Sequence, residues 1–186
     1  YPYGYKDAVS RDNDSLSYLV TPSEDIWLLM LDSAIYKRNK LRDSPVMGGE
    51  ISQKTIEWIE GCADLAKENK AQIIAVMHHS LLDHSKIINE DYTIKNNKEV
   101  IKVLQDSGIE IVLTGHIHLQ DIKSYNENNK TIYDIATSCL IAYPNQYGIL
   151  KFEPNKGYDY RTNRIDMAGW VKENNIKDQN LINFKE

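Results

Sequence analysis

Three runs of apolar residues divide the chain and predict buried β-strands. The first, over 26–31, is apolar at every position, and shorter runs cover 73–76 and 109–113. A run that is apolar on both faces is typical of a central strand covered on both sides of its sheet. A weaker alternation over 16–20 predicts a further strand, and the stretch 34–49 has no clear period, which indicates a long connection.

Two helical patterns lie between these strands. Apolar residues recur at helical spacing from Ile56 to Ala66, and Ser52 stands where it can cap the N-terminus of that helix. A second helix is predicted to begin at Asn96, in a capping-box-like pair with a glutamate three residues later, and to stop at Gly108. The alternation of strands and helices favours a layered α/β architecture.

The pattern changes in the last third of the chain. Short strand-like segments separated by asparagine- and proline-containing turns predict an antiparallel meander over 122–125, 131–136, 147–152 and 158–164. The final stretch is polar and predicts a tail with a short helix. We therefore expect one domain over 1–165 followed by a tail over 166–186.

Composition narrows the classes of function. A chain of 186 residues with 41% apolar content is long enough for a sizeable core. The net charge of −5, with scattered basic residues, argues against nucleic-acid binding, which needs a basic stripe. There is no apolar run of about 18 residues, so no membrane span is predicted. Cys62 and Cys139 lie far apart and are expected to be buried thiols rather than a disulfide framework.

Four of the five histidines follow directly on two of the apolar runs. His78 and His79 come after the second run, and His116 and His118 come after the third. If these two strands are neighbours in one sheet, both pairs emerge at the same edge, where ligands collect in open α/β sheets. The sequence therefore predicts a shared metal site, with a pair of ordinary surface histidines as the alternative for His116 and His118.

The segment 115–118 offers a way to bring two imidazoles into one space. If it stays extended, His116 and His118 point to the same side, because residues two apart share a side of a strand. Gly115 ahead of them is expected to let the backbone turn sharply as it leaves the strand.

The segments Met77-His78-His79-Ser80 and Gly115-His116-Ile117-His118 resemble the last two metal-binding motifs of the calcineurin-like metallophosphoesterases, in order and in context. The likeness covers roughly residues 15–165 and points to the bacterial cyclic-nucleotide phosphodiesterase-like branch, which includes secreted and envelope-associated proteins. It implies the four-layer α/β/β/α sandwich of that family. This chain would form only the C-terminal portion of such a sandwich.

The resemblance also implies roles for individual residues. Family members use two divalent ions, commonly Mn, Fe or Zn and about 3.5–4 Å apart, to activate a hydroxide that attacks a small phosphoester substrate. His78 and His116 would bind one ion, and His118 would bind the other. His79 would lie beside the site in a catalytic role, or replace His78 as a ligand if the alignment slips by one. His84 is expected to line the substrate cleft, with an exposed loop histidine as the alternative.

The earlier motifs of the family, Asp-x-His, Gly-Asp and Gly-Asn-His-Asp/Glu, do not occur in this sequence. They would supply the bridging carboxylate and most ligands of the first ion, so we expect weak or partial metal binding and no activity from the chain alone. Two other hypotheses stay open: a three-histidine mononuclear zinc site, and a non-catalytic phosphoesterase-like binding or scaffold module. A halved sheet would expose an edge, so a homodimer or association through that edge is a further expectation.

Overall fold

A computed structural model describes residues 4–36, 39, 43–142 and 144–184 of the chain, so part of the predicted connection over 34–49 lies outside the described residues. Seven strands form one mixed sheet in the order β1-β2-β3-β4-β5-β7-β6. The strands of this sheet are β1 Ser10–Arg11, β2 Tyr18–Val20, β3 Ile26–Leu31, β4 Gln72–Met77, β5 Ile111–Thr114, β6 Asp121–Glu127 and β7 Lys130–Ala136.

The four central strands, β3, β4, β5 and β7, run parallel to one another, and the outer strands pair antiparallel. The predicted strand over 26–31 is confirmed as β3, with Trp27, Leu29 and Leu31 buried. Its other face is only half-buried, whereas Ile73 and Ile74 show that β4 is buried on both faces. The fold is therefore of the mixed α/β class, as predicted.

Two helices pack with the sheet around the core: α1 is Gln53–Glu68 and α2 is Asn97–Asp106. The predicted cap of α1 is confirmed, because the Ser52 side chain accepts a hydrogen bond from the Thr55 amide at 3.2 Å. Cys62 of α1 is buried among apolar side chains, and this burial raises the pKa of its thiol to about 12. The prediction of a buried cysteine is thus confirmed at residue 62, whereas it is wrong for Cys139, which is only half-buried.

The start of α2 differs from the predicted capping box. Asn96 stands at the N-cap, but its side chain makes no hydrogen bond to the amides of the helix. Its amide instead bridges to Ile51, accepting from the backbone N–H at 3.1 Å and donating to the carbonyl at 2.7 Å. At the other end, Gly108 adopts a φ of +73°, the left-handed conformation predicted for it.

The predicted meander over the C-terminal third is wrong in its connectivity. β6 and β7 form a hairpin through Asn128 and Asn129, and β7 then pairs parallel with β5 instead of passing on to the next strand. The remaining strands, β8 (Gln146–Glu153) and β9 (Gly157–Arg164), form a separate antiparallel pair. The predicted helical tail appears as α3 Met167–Glu173 and α4 Gln179–Ile182.

The chain divides into two compact units. The first comprises Tyr1–Ile117 with Asp121–Ala136, and the second comprises His118–Gln120 with Thr137–Glu186. The domain boundary predicted at 165 stays a prediction. Within the described part of the chain, no helix combines the length and the apolar character that crossing a membrane requires.

The two edge strands of the seven-stranded sheet are the two-residue β1 and the longer β6, and the side chains of β6 are almost all exposed. It carries charged and polar residues such as Lys123, Asn126 and Glu127, a composition that protects sheet edges from pairing with another chain. The described residues therefore give no support to a homodimer or to association through this edge.

Candidate metal centre

The ends of β4 and β5 bring two of the predicted ligands together. The strands pair in parallel, and beyond the last pair the Gly115 amide donates a hydrogen bond to the His78 carbonyl at 3.1 Å. The side chains that follow then meet, with His78 Nε2 lying 2.9 Å from His116 Nδ1. One of these nitrogens carries the proton of the hydrogen bond, and the other accepts it.

The imidazole of His79 and the phenol ring of Tyr92 lie against this pair. The ring of His79 lies 5.1 Å from that of His78 and 4.8 Å from that of His116, measured between centroids, and Tyr92 lies 4.8 Å from His116. His78, His79 and His116 are termed the imidazole cluster below. Three of the four histidines predicted to share a site therefore have rings in contact with one another.

His79 differs from its neighbour in burial and in its contacts. Its Nε2 lies 2.9 Å from the Met47 carbonyl, so this nitrogen donates, and its Nδ1 lies 2.8 Å from the Ser33 hydroxyl, from which it accepts. Burial lowers the pKa of His79, although the Met47 carbonyl opposes that shift. Both ring nitrogens thus make hydrogen bonds within the protein, and the ring is neutral. The catalytic role of His79 stays a prediction.

Gly49 permits this close packing around His79. A Cβ atom at residue 49 would lie 2.5 Å from His79 Nδ1, which is closer than two non-bonded heavy atoms approach. The ring and the backbone before α1 are therefore in direct contact only because residue 49 has no side chain.

The backbone of the segment 115–118 is not extended, contrary to prediction. His116 and His118 have φ values of +61° and +57°, in the left-handed region, whereas Gly115 does not. The Ile117 amide donates to the Gly115 carbonyl at 2.6 Å, which makes His116 the central residue of a γ-turn. The sharp turn is thus made by the histidines themselves, and conformations of this kind persist where the surroundings hold them at a functional site.

Replacing His116 by glycine is expected to give a more stable protein than replacing it by alanine, by about 1–2 kcal/mol in the free energy of unfolding. Both variants lose the imidazole, so they differ in the cost of a Cβ at positive φ and in the greater backbone freedom that glycine loses on folding. Urea denaturation of both variants measures the difference.

The matched pair for this comparison is at His78, which does not have a positive φ. There glycine is expected to be the less stable of the two replacements, because it loses more backbone freedom on folding. Equal glycine-minus-alanine differences at residues 78 and 116 would show that the turn at His116 carries no strain.

His118 is exposed and falls in the second compact unit, with Leu119 and Gln120. Over the described ranges, no group of three or more histidine, cysteine, aspartate or glutamate residues is placed to hold a metal ion. The three-histidine zinc site is therefore not supported. Binding of a second ion by His118 stays a prediction.

His84 is buried, so the alternative of an exposed loop histidine is wrong. Its side chain has no exposed surface, and its Nδ1 lies 3.0 Å from Asp121 Oδ2. On the other side its Nε2 lies 3.2 Å from Asp134 Oδ2, an ion-pair contact that lacks the alignment of a hydrogen bond. Burial alone would lower the pKa of His84, but the two carboxylates outweigh it and raise this pKa. The predicted contact with substrate stays a prediction.

The raised pKa of His84 predicts a pH dependence of stability. The stability that His84 contributes to the folded chain is fully present below its unfolded-state pKa of about 6.5. It is lost as the pH rises through the higher pKa of the folded state. The lowered pKa of His79 acts in the opposite direction. We therefore expect the difference in free energy of unfolding between the parent chain and His84→Gln to shrink as the pH rises above about 6.5. A constant difference in urea titrations would contradict the raised pKa of His84.

Asp134 is the residue that the sequence analysis missed. It is fully buried in β7, where its Oδ1 accepts from the Thr114 hydroxyl and its Oδ2 accepts from the amides of Leu81 and Leu82. The available signal was an aspartate inside the otherwise apolar run 132–136, because a buried carboxylate needs partners.

Comparisons with known proteins bear on this arrangement. No protein-family model matches the chain. A protein from Psychrobacter arcticus named "Probable cyclic nucleotide phosphodiesterase" is 27% identical over 184 residues, a match that covers 92% of this chain and 59% of that protein. The chain thus spans about three-fifths of the length of this relative.

The fold is also similar to a solved one. The crystal structure of a dimetal phosphatase from Danio rerio superposes with a TM-score of 0.56 at 14% identity, covering 81% of this chain and 60% of the phosphatase chain. At this level of identity the likeness concerns the fold. In sequence the chain resembles the calcineurin-like metallophosphoesterases, and it has the mixed α/β fold of a dimetal phosphatase.

Proposed function

We propose that the chain is part of a metal-dependent hydrolase of phosphoesters and supplies histidine ligands to its metal site. The observation that carries the proposal is the approach of His78 Nε2 to within 2.9 Å of His116 Nδ1 at the ends of two adjacent parallel strands. The resemblance in sequence and the dimetal phosphatase fold support the same reading.

The two imidazole nitrogens fit part of the ligand set of such a metal site. Two convergent imidazole nitrogens suit Zn, Fe or Mn ions, in particular when carboxylates complete the coordination. Within the described residues no carboxylate joins the pair. We propose that the remaining ligands come from polypeptide beyond this sequence, because the curated relative is longer than the chain. The chain alone is then expected to bind metal weakly and to lack activity.

In this proposal the protein fixes the two ligands before any metal arrives. The hydrogen bond between Gly115 and the His78 carbonyl ties the ends of β4 and β5 together, and the turn at His116 directs its ring toward His78. Divalent ions bound at such a site supply a hydroxide nucleophile and stabilise charge on the phosphoryl oxygens. Prior orientation of the ligands reduces the rearrangement that binding requires.

His79 has a supporting part in this scheme. Its ring packs against both proposed ligands while its own nitrogens bond to Ser33 and Met47. We propose that it holds the segment around Met47 against the imidazole cluster, and that its effect on catalysis is exerted through this position.

The name of the relative supports a proposal for the substrate class. Its name, probable cyclic nucleotide phosphodiesterase, leads us to propose a phosphodiester substrate, with a phosphomonoester as the alternative. The test is hydrolysis of bis(p-nitrophenyl) phosphate and p-nitrophenyl phosphate, with added Mn²⁺ or Zn²⁺, by this chain and by a longer protein that includes the preceding segment of its gene.

We expect the longer protein to hydrolyse the diester in a metal-dependent way and this chain to be inactive. Absence of hydrolysis by both, although both bind metal, would instead favour a non-catalytic binding or scaffold module. Metal-independent hydrolysis would contradict the proposal.

A further inference from the structure

Asp134 connects the two segments that carry the imidazole cluster. It lies on β7, next to β5 in the sheet, and it has no exposed surface. Leu81 follows the first histidine pair after Ser80, and Thr114 precedes Gly115 and His116. A single side chain therefore contacts both segments from a strand that carries neither.

The contacts of Asp134 use both carboxylate oxygens. Oδ2 accepts from the Leu81 amide at 2.7 Å and the Leu82 amide at 2.8 Å, and Oδ1 accepts from Thr114 Oγ1 at 2.5 Å. Carboxylates that accept from backbone amides make short, charge-assisted hydrogen bonds. The loop after His79 and the end of β5 are thus held at fixed positions relative to each other.

His84 extends this connection. Its buried ring lies between Asp134 Oδ2 at 3.2 Å and Asp121 Oδ2 at 3.0 Å, and Lys123 lies 3.6 Å from the same Asp121 oxygen. The ring thereby ties the loop that follows the first histidine pair to both strands of the β6–β7 hairpin.

We propose that Asp134 and His84 are positioning residues that set the distance between His78 and His116 and so prepare the pair to bind metal. The effect on the imidazole pair belongs to the chain itself. The consequence for metal binding rests on the function proposed above.

The test uses Asp134→Asn, which keeps the shape of the side chain but replaces one accepting oxygen by a donor. The first measurement is ¹⁵N NMR of the imidazoles in the metal-free chain, where the His78–His116 hydrogen bond gives distinct ring nitrogen signals. We expect Asp134→Asn and His84→Gln to remove that signature while far-ultraviolet circular dichroism stays that of the parent. Asp106→Asn, which changes an exposed aspartate in contact with Lys102 and Lys130, is the control and is expected to retain it.

The second measurement is Zn²⁺ affinity by competition with a chromogenic chelator. Residues that orient metal ligands typically change affinity about 10–100-fold when replaced, and we expect a loss in this range for Asp134→Asn. If Asp134→Asn does not fold, Thr114→Val is used instead. This variant removes the hydrogen bond from Thr114 to Asp134, and its effect is measured by the same imidazole signals.

The outcomes separate the two proposals. Unchanged imidazole signals in folded Asp134→Asn or Thr114→Val overturn the positioning role, whatever happens to metal binding. If the variants have altered imidazole signals but the parent chain binds no Zn²⁺, the positioning role is supported and the proposed function is contradicted.

Discussion

Replacing His116 with alanine is expected to weaken Zn²⁺ binding by at least about 100-fold, because a lost ligand costs more than a lost residue that only orients one. The same loss is expected for His78→Ala, since either change leaves one nitrogen where two converge at 2.9 Å. In a site that is already weak, this means the loss of detectable binding. Isothermal titration calorimetry of each variant with Zn²⁺ measures the effect.

His118→Ala is the matched control for these variants. By the resemblance His118 would bind the other ion, so its removal is expected to leave the affinity of the His78–His116 pair nearly unchanged. If His118→Ala abolished binding while His78→Ala did not, the pairing of ligands inferred from the structure would be wrong.

Replacing Asp134 with alanine is expected to destabilise the fold by about 3–5 kcal/mol, as removal of one partner from a buried ion pair does. The change leaves the Leu81 and Leu82 amides without their acceptor and His84 without one of its two carboxylates. Denaturant unfolding of the variant, followed by circular dichroism, measures the loss.

Asp106→Ala provides the comparison at the surface. Asp106 makes two shorter contacts, 2.7 Å to Lys102 and 2.6 Å to Lys130, and these lower its pKa to about 2, but all three side chains are solvent-exposed. Solvent screens such pairs, so little loss of stability is expected. Equal effects of Asp106→Ala and Asp134→Ala would show that the connection through Asp134 adds nothing to an ordinary ion pair.

The parts of the fold that the sequence predicts well are those set by neighbouring residues. The strand over 26–31 and the cap at Ser52 depend on local periodicity and on one local hydrogen bond, and both are confirmed. The place of β7 could not be predicted in this way, because its parallel pairing with β5 joins segments about twenty residues apart along the chain. Turn residues indicated a hairpin there but not which strand would receive it.

In the candidate site, too, some features could be predicted from the sequence and others could not. The rule that ligands gather at the carboxyl ends of parallel strands anticipates the meeting of His78 and His116. The assumption of an extended backbone fails at His116, because its left-handed conformation is imposed by surrounding contacts and not by its own preference. The connection through Asp134 brings together residues from three elements, so no local pattern reveals it.

The central claim is that His78 and His116 bind the same metal ion, and a Zn²⁺ titration followed by ¹⁵N NMR of the imidazoles tests it most directly. We expect the signals of His78 Nε2 and His116 Nδ1 to shift together, over the same range of Zn²⁺ concentration, while the ring of His84 keeps its signals. Shifts of the two rings over separate ranges of Zn²⁺ concentration, or no shift of either ring, would contradict it.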